Sequence, residues 1–590
     1  MARTSLYSAS MTETLTDRLS AIVGAAFADA GLDAGHGAVR PSDRPDLCQF
    51  QSNGALAAAK AAKRDPREIG QAVADRLADE AVFAEVELAG PGFLNLTLTD
   101  AALAGAAADA GAWTTDAPEK IVVDYGGPNV AKPLHVGHLR AALIGEAVKR
   151  TLRAVGHDAV GDIHLGDWGL QMGQLITELA RVRPDLPYWD EGDHGPYPPA
   201  SPVTVDDLAA LYPQASAACK TDPERMAQAQ AATAELQAGR PGYRAVWQHF
   251  VDVSVGALRG EYDELGVDFE LWRGEASAHP FVEPLVARLG EMGLLEDSDG
   301  ARVVRVAREG DKKEIPPLMV VKSNGSVGYG STDLATIYER VREGFERCIY
   351  VVDKRQAEHF EQVFRASDRM GLMAQDRLEH AGFGTMNGPD GRPFKTREGG
   401  VLRLRDLIDQ VTGKARERLA DNGVAEGMEE AEREDVARLV GMAALKFADL
   451  SNPRTTDYVF DLDRFVAFEG KTGPYLLYAA VRIDSVLAKA GYEGGGEGFA
   501  VAHEAERDLA LVLAAYPDAV RQSATRRMPH VLCEHAYDLA SAFSRFYAAC
   551  RIGDEADKGV RTSRLALSKA ASVQLSAALG LLGIEVPARM

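Results

Sequence analysis

"KIVVDYGGPNVAKPLHVGHLRAALIGEAVKRTLRAVGHDAVGDIHLGDWG" (residues 120–169) is the stretch on which the fold turns. It opens with a short apolar run, "KIVVDYG" (120–126), that reads as a strand. In "LRAALIGEAVKRTLRAVGH" the residues Leu139, Leu143, Ala147, Val148, Leu152 and Val155 recur at three and four, which predicts an amphipathic helix. "DAVGDIHLGDWG" then supplies a second strand and a glycine-rich turn. Strand, helix and strand within about 45 residues predict a βαβ crossover, the start of a parallel sheet.

Between the first strand and the helix stand His135 and His138, three apart around Gly137, with Lys132 three residues upstream of the pair. Such a pair suits a metal, a phosphate cradle, or two polar residues at a helix start. The metal reading needs a third and usually a fourth ligand, and no HExxH-type companion occurs. Doubly wound sheets bind nucleotides at this junction, where free N–H groups and the positive helix end attract phosphate. No GxGxxG is present, so imidazole N–H groups and the Lys132 ammonium would have to replace a backbone cradle. Gly137, lacking Cβ, would let a flat adenine lie against the backbone.

Outward from this stretch the 590 residues divide into unlike parts. Residues 12 to about 112 read as a small α/β unit. It has one helix in "TETLTDRLSAIVGAAFADAG", a second begun by Asp65-Pro66, and a strand pair in "FAEVELAGPGFLNLTLT" broken at Gly90-Pro91-Gly92. Residues 105–118, rich in Ala and Gly, read as a linker. A Pro-rich loop and acidic, Ala-rich helices over about 184–300 interrupt the parallel sheet as an insertion. Strand patterns return at "ARVVRV", "PPLMVVKS", "VGYGSTD" and "RCIYVVD"; from about 403 onward the pattern is almost wholly helical. The expected fold is therefore α/β: a Rossmann-like parallel-sheet domain with insertions, a small N-terminal α/β domain and an all-α helical-bundle C-terminal domain. The boundaries are 1–115, 116–402, a helical connector at 403–460, and 461–590.

Hydrophobic content of 46% and charged content of 26% are those of a globular protein with real cores. No apolar run approaches membrane-spanning length, and the first residues lack the apolar segment of a secretory signal. Five scattered cysteines with no CxxC pair argue against a disulfide framework or a zinc site and suit a reducing cytoplasm. The net charge of −22 argues against nonspecific nucleic-acid binding, because phosphate contacts need a basic surface. Residues 461–590 carry 15 Lys/Arg against 16 Asp/Glu, however, so a basic face is affordable there.

HxGH at this junction resembles the HIGH element of class I aminoacyl-tRNA synthetases. The longer match closely resembles the arginyl-tRNA synthetase family: Pro128, Asn129, Val130, Ala131, Lys132, Pro133, Leu134, His135, Val136, Gly137 and His138, with "LGDWGLQMG" some thirty residues on, "AGPGFLNL", "GPYLLYAAVR" and the ending "LGIEVPARM". The resemblance implies ATP-dependent activation of L-arginine to arginyl-adenylate and transfer to the terminal adenosine of tRNA(Arg). It also implies Mg²⁺ accompanying ATP, no protein-bound metal or zinc, no DNA or membrane partner, and a cytoplasmic monomer whose activation step needs bound tRNA.

Activation is an in-line attack of an already ionised carboxylate on the α-phosphate, so the site must align reactants and stabilise phosphoryl charge. Lys132, His135 and His138 are residue types for that task. The family's second ATP element, a mobile lysine-rich loop, falls at "GRPFKTREGG" (391–400), where Thr396 stands at the usual second lysine between Lys395 and Arg397. Lys132, with help from Lys395 and Arg397, is the expected replacement cation. A planar guanidinium is best held by in-plane carboxylates, and lysine would leave one buried acceptor unpaired. By resemblance Asp124 and Asp333 are those acids and Tyr329 adds a hydroxyl, while Asn129, His135 and Gln356 sit near the α-amino and carboxylate groups. Anticodon bases are expected on Tyr475, Tyr478, Arg482, Tyr537, Phe546 and Tyr547, near Arg545 and Arg551. Gln51 and Asn53 of "QFQSNG" are expected to meet the tRNA elbow. The rivals are a class I enzyme for another amino acid, a tRNA-binding paralogue without chemistry, and an adenylating ligase without RNA.

Overall fold

Four short apolar segments pair in parallel to form the central sheet: β1 (Lys120–Tyr125), β2 (Asp158–Asp162), β3 (Arg347–Val351) and β4 (Leu378–His380). The computed structural model describes residues 12–323, 325, 327–388, 390–392, 402–424, 427–494 and 498–590. Strand order is β4-β3-β1-β2, so β1 has its successor on one side and a late strand on the other. The connections reverse direction there and leave a crevice beyond the carboxyl ends of β1 and β3.

The predicted βαβ unit is present, with helix α1 (Val136–Ala154) joining β1 to β2 and α2 (Leu170–Val182) following. Helix α1 is not simply amphipathic. Arg140, Glu146 and Lys149 are buried along with its apolar stripe, because the helical domain covers its outer face. A charge buried there needs a partner, and Arg140 Nε meets Asp449 Oδ1 at 2.9 Å with both side chains almost fully shielded.

The insertion folds as α3 (Val205–Thr221), α4 (Pro223–Gln237) and α5 (Pro241–Glu264), which pack on α2 and on one another. The chain then returns to the sheet, where Leu271 and Gly274 bridge Asp162 and Leu165, and enters α6 (Glu275–Glu291). A three-stranded antiparallel sheet follows, made of Glu296–Ser298, Ala301–Val304 and Leu318–Val321. "VGYGSTD" is not the expected strand. Only Val327 bridges Val321, and at Tyr329 the chain turns into helix α7 (Tyr329–Arg342) behind the extended N-cap Gly328. The alternation of Val, Gly and Tyr imitated a strand, but two glycines give no side chain to pack on a sheet.

The N-terminal unit is a four-stranded antiparallel sheet with helices Leu15–Asp29, Gly54–Ala62 and Pro66–Leu77. The stretch read as a linker is partly helix: Asp100–Ala108 is capped by Thr99 and packs on Glu504–Ala514 of the C-terminal domain. The two ends of the chain also meet. Buried Thr16 Oγ1 donates to Asp518 Oδ1 at 2.7 Å, and Arg507 pairs with Asp100 at 2.6 Å. From Leu404 onward the described residues are helical apart from loops and Tyr458–Val459, which pairs with Met386–Asn387. Among the described residues no helix is long and apolar enough to cross a membrane. All five cysteines are free and buried.

Candidate active site

Beyond β1 the chain runs through Gly126–Pro133 in a loop stitched to the turn after β2. Val130 donates its N–H to Gly166 at 3.1 Å, and Gly166 donates to Pro128 at 3.1 Å. A Cβ on Gly166 would lie 2.2 Å from Asn129 Oδ1, so only glycine leaves this seat open for the Asn129 amide. The "LGDWG" turn thus belongs to the same site as the histidine pair. Ala131 follows at a φ of 66°, a left-handed conformation that strains a residue with a Cβ, and its N–H donates to Ser254 Oγ at 3.0 Å.

The histidines build the start of α1. His135 is its N-cap: its Nδ1 accepts from Gly137 N–H at 3.0 Å, and His138 Nδ1 accepts from His135 N–H at 3.1 Å. The two rings lie 3.9 Å apart between centroids. Burial, with the Lys132 charge nearby, holds His135 below its ordinary pKa and drives His138 down to about 3. Both rings are therefore neutral near pH 7. With each Nδ1 accepting a backbone N–H, the ring proton resides on Nε2, which leaves one N–H donor on each imidazole. A Cβ on Gly137 would lie 2.7 Å from the His135 ring, so the glycine first of all lets that ring fold over its own helix turn. Lys132 Nζ sits 4.6 Å over the ring of Tyr212 on α3.

The other wall comes from β2, α6, α7 and α8 (Ala357–Arg369). Asp333, on α7, accepts from His359 Nε2 on α8 at 2.6 Å, and that contact raises the His359 pKa against the effect of burial. Tyr329, at the start of α7, is 73% exposed. Gln356 ends the short turn after β3 and is exposed, across the crevice from the end of β1. Asp124 arrives already paired. Arg340, 1% exposed, donates Nη2 to Asp124 Oδ2 at 2.6 Å and to Asp162 Oδ2 at 2.7 Å. Two buried carboxylates share one cation, and burial pushes the Asp124 carboxyl up in spite of it. Asp124, Asp162 and His164 bring their ligand atoms within 4.8 Å, a spacing suited to a cation, and the Arg340 guanidinium reaches both of these carboxylates.

Glu275 was not anticipated. It opens α6 directly after Gly274, with its carboxyl raised to about 7 by burial and then by Asp167 and Asp333 nearby, against the pull of His164. Asp167 accepts from Ala276 N–H at 3.0 Å, and burial holds it up at about 6. No hydrogen bond or ion pair engages the Glu275 carboxylate among the described residues. Glu275, Asp167 and Asp333 thus form an acid-lined corner with His164 and His359 beside it. Its only sequence signal was the Gly-Glu pair at a helix start where the chain rejoins the sheet. Lys395, Thr396 and Arg397 lie outside the described residues.

The helical domain carries the expected aromatics on two helices, Gly473–Lys489 and His530–Ala549. Tyr475 and Tyr537 lie 5.8 Å apart, Tyr478 is exposed, and Arg482 stacks 4.5 Å over Tyr547. Arg545 is exposed, whereas Phe546 is fully buried and belongs to the core. An open cleft of about 620 Å³ beside Tyr547 is lined by Lys489, Arg551 and Arg561. In the N-terminal unit Gln51 Nε2 donates to Asn95 at 3.0 Å, and Asn53 is exposed at a helix start.

Residues 103–462 match the family model for tRNA synthetases class I (R), catalytic domain. The chain belongs to the arginyl-tRNA synthetase family. Residues 10–98 match the arginyl tRNA synthetase N terminal domain, and 476–590 the DALR anticodon binding domain. Arginine–tRNA ligases of Hyphomonas neptunium and Maricaulis maris are 54% and 50% identical, each over 98% of this chain and all of the relative. The arginyl-tRNA synthetase structures of Plasmodium falciparum and Thermus thermophilus superpose with TM-scores of 0.82 and 0.79. Each has 23% identity, and they cover 99% and 98% of this chain and all of their own, which shows a shared fold. An arginyl-tRNA synthetase is an aminoacyl-tRNA ligase, and the activity of this chain is the ATP-dependent attachment of arginine to tRNA.

Proposed function

We propose that the crevice between β1 and β3 binds ATP on the His135–His138 side and L-arginine on the acidic side, and joins them as arginyl-adenylate. The observation that carries this is the pairing, at the two ends of the first crossover, of two neutral imidazoles and a lysine at the start of α1 with the acids Glu275, Asp167 and Asp333 beyond β2. The arginine carboxylate attacks the α-phosphorus, its new O–P bond replaces the bond to the β-phosphate, and pyrophosphate leaves. His135, His138 and Lys132 donate to the phosphoryl oxygens; each such donor is worth about 2–4 kcal/mol in the transition state. Lys395 and Arg397, beside Thr396, add charge from the second loop, and Mg²⁺ enters with ATP. Asp333 and Glu275 accept from the guanidinium, with Tyr329 beside them. Asp124, engaged with Arg340, moves to the α-ammonium end with Asn129 and Gln356. A ribose hydroxyl of the tRNA's terminal adenosine then takes the arginyl group and AMP departs.

The anticodon arm lies on Tyr475, Tyr478, Arg482, Tyr537, Arg545 and Tyr547, and the elbow near Gln51 and Asn53. The enzyme acts as a monomer in the cytoplasm. The test is ATP–pyrophosphate exchange with each amino acid, with and without tRNA. Exchange should appear with arginine and tRNA together; exchange independent of both would overturn the reading.

A further inference from the structure

The insertion reaches the motif loop from behind, and the contacts fall on the residues flanking the activating lysine. We propose that Tyr212, on α3, is a positioning residue for the activation step, its ring face holding the Lys132 ammonium charged and unneutralised beside the histidine pair. The inference rests on Lys132 being the cation that meets ATP.

Four observations converge. Lys132 Nζ stands 4.6 Å over the Tyr212 ring centroid, and among the described residues it makes no ion pair with a carboxylate. Its positive charge reaches both imidazoles, adding to the burial that lowers His135 and His138. The backbone before it is fixed by the same insertion, because left-handed Ala131 donates its N–H to buried Ser254 on α5. Lys132 borders a cleft formed with Val205 and Leu208 of α3 and Ala257, Leu258 and Glu261 of α5, and the Glu261 carboxylate makes no ion pair with it.

Helix α3 carries Tyr212 next to an internal proline, Pro213, which removes one helical hydrogen bond there, so the ring is held by the helix's cap and packing. Thr204 and Asp207 close a capping box at its start, and Leu208, Ala215 and Cys219 are buried against the neighbouring helices.

The choice of an aromatic partner has a chemical reason. A carboxylate would cancel the lysine's charge and would have to be displaced when a triphosphate arrives. A ring face attracts the cation through its quadrupole and leaves the net charge in place. It also restricts a long, flexible side chain before the reaction, so less freedom is lost on reaching the transition state. With Thr396 at the second loop's usual lysine, the orientation of Lys132 bears more of the load.

Exchange measured on the full-length enzyme with arginine and tRNA present tests this. Tyr212→Phe, which keeps the ring, should stay within about twofold of wild type. Tyr212→Leu should lower kcat about three- to tenfold and raise the ATP KM, leaving arginine KM and tRNA affinity unchanged. In a Lys132→Ala background Tyr212→Leu should add nothing. A Leu variant equal to wild type beside a strongly weakened Lys132→Ala would overturn the role of Tyr212. So would a Phe variant as weak as Leu, or additive losses in the double variant. A fully active Lys132→Ala would instead overturn the assignment of Lys132.

Discussion

Glu275→Gln is the sharpest probe of the arginine pocket. Burial and neighbouring acids hold this carboxyl at about 7 against the pull of His164, and no hydrogen bond or ion pair among the described residues engages it. Only the ionised form accepts strongly from a guanidinium, so the apparent arginine KM should rise as pH falls through 7. For a single group at about 7, KM at pH 6 should be about tenfold above its alkaline limit, and at pH 8 within about 10% of it. Bound arginine in turn draws the carboxyl down, and binding takes a proton off the enzyme below pH 7. The amide replaces a charge-assisted contact worth about 1.5–3 kcal/mol, which raises KM about ten- to a hundredfold and flattens its pH profile. The assay is aminoacylation at saturating ATP and tRNA between pH 6 and 8.5. A wild-type arginine KM that does not change with pH, or a Gln variant with unaltered KM, would refute the reasoning.

Other outcomes follow from the same geometry. Asp333→Ala should raise arginine KM about tenfold or more. It should also let His359 titrate at a lower pH, since the Asp333 contact is what raises it; this is readable by NMR. Gly166→Ala places a Cβ 2.2 Å from Asn129 Oδ1 and should lower kcat/KM about a hundredfold through a displaced amide, with little change in the unfolding midpoint. Asp449→Leu strands the Arg140 charge between domains, a cost of about 3–5 kcal/mol. It should lower the urea midpoint clearly, and adding Arg140→Met should recover most of the loss.

The βαβ core was legible because β1 and α1 obey local periodicity and the histidine pair falls at their junction. The insertion's helices were legible as helices but not as a support for Lys132, since nothing local says which helix face meets a loop some eighty residues earlier. Asp333 and Tyr329 were named by resemblance, and their segment was misread as a strand. Arg340 and Glu275 were missed for a shared reason. A buried arginine and a buried acid look like surface charges in sequence, and only the packing around them makes one a neutraliser and the other an unmet demand. Aromatic spacing could not separate Phe546, which faces the core, from Tyr547 beside it.

The contact between Thr16 and Asp518 spans 502 residues of chain. Synthesis at about 5–20 residues per second separates the two by roughly 25–100 s. The N-terminal unit therefore emerges long before its docking face exists, and its side of the seam stays bare until then. The seam waits for the helix Tyr516–Arg526 to leave the ribosome, so a chain ending before Asp518 lacks the partner that Thr16 meets.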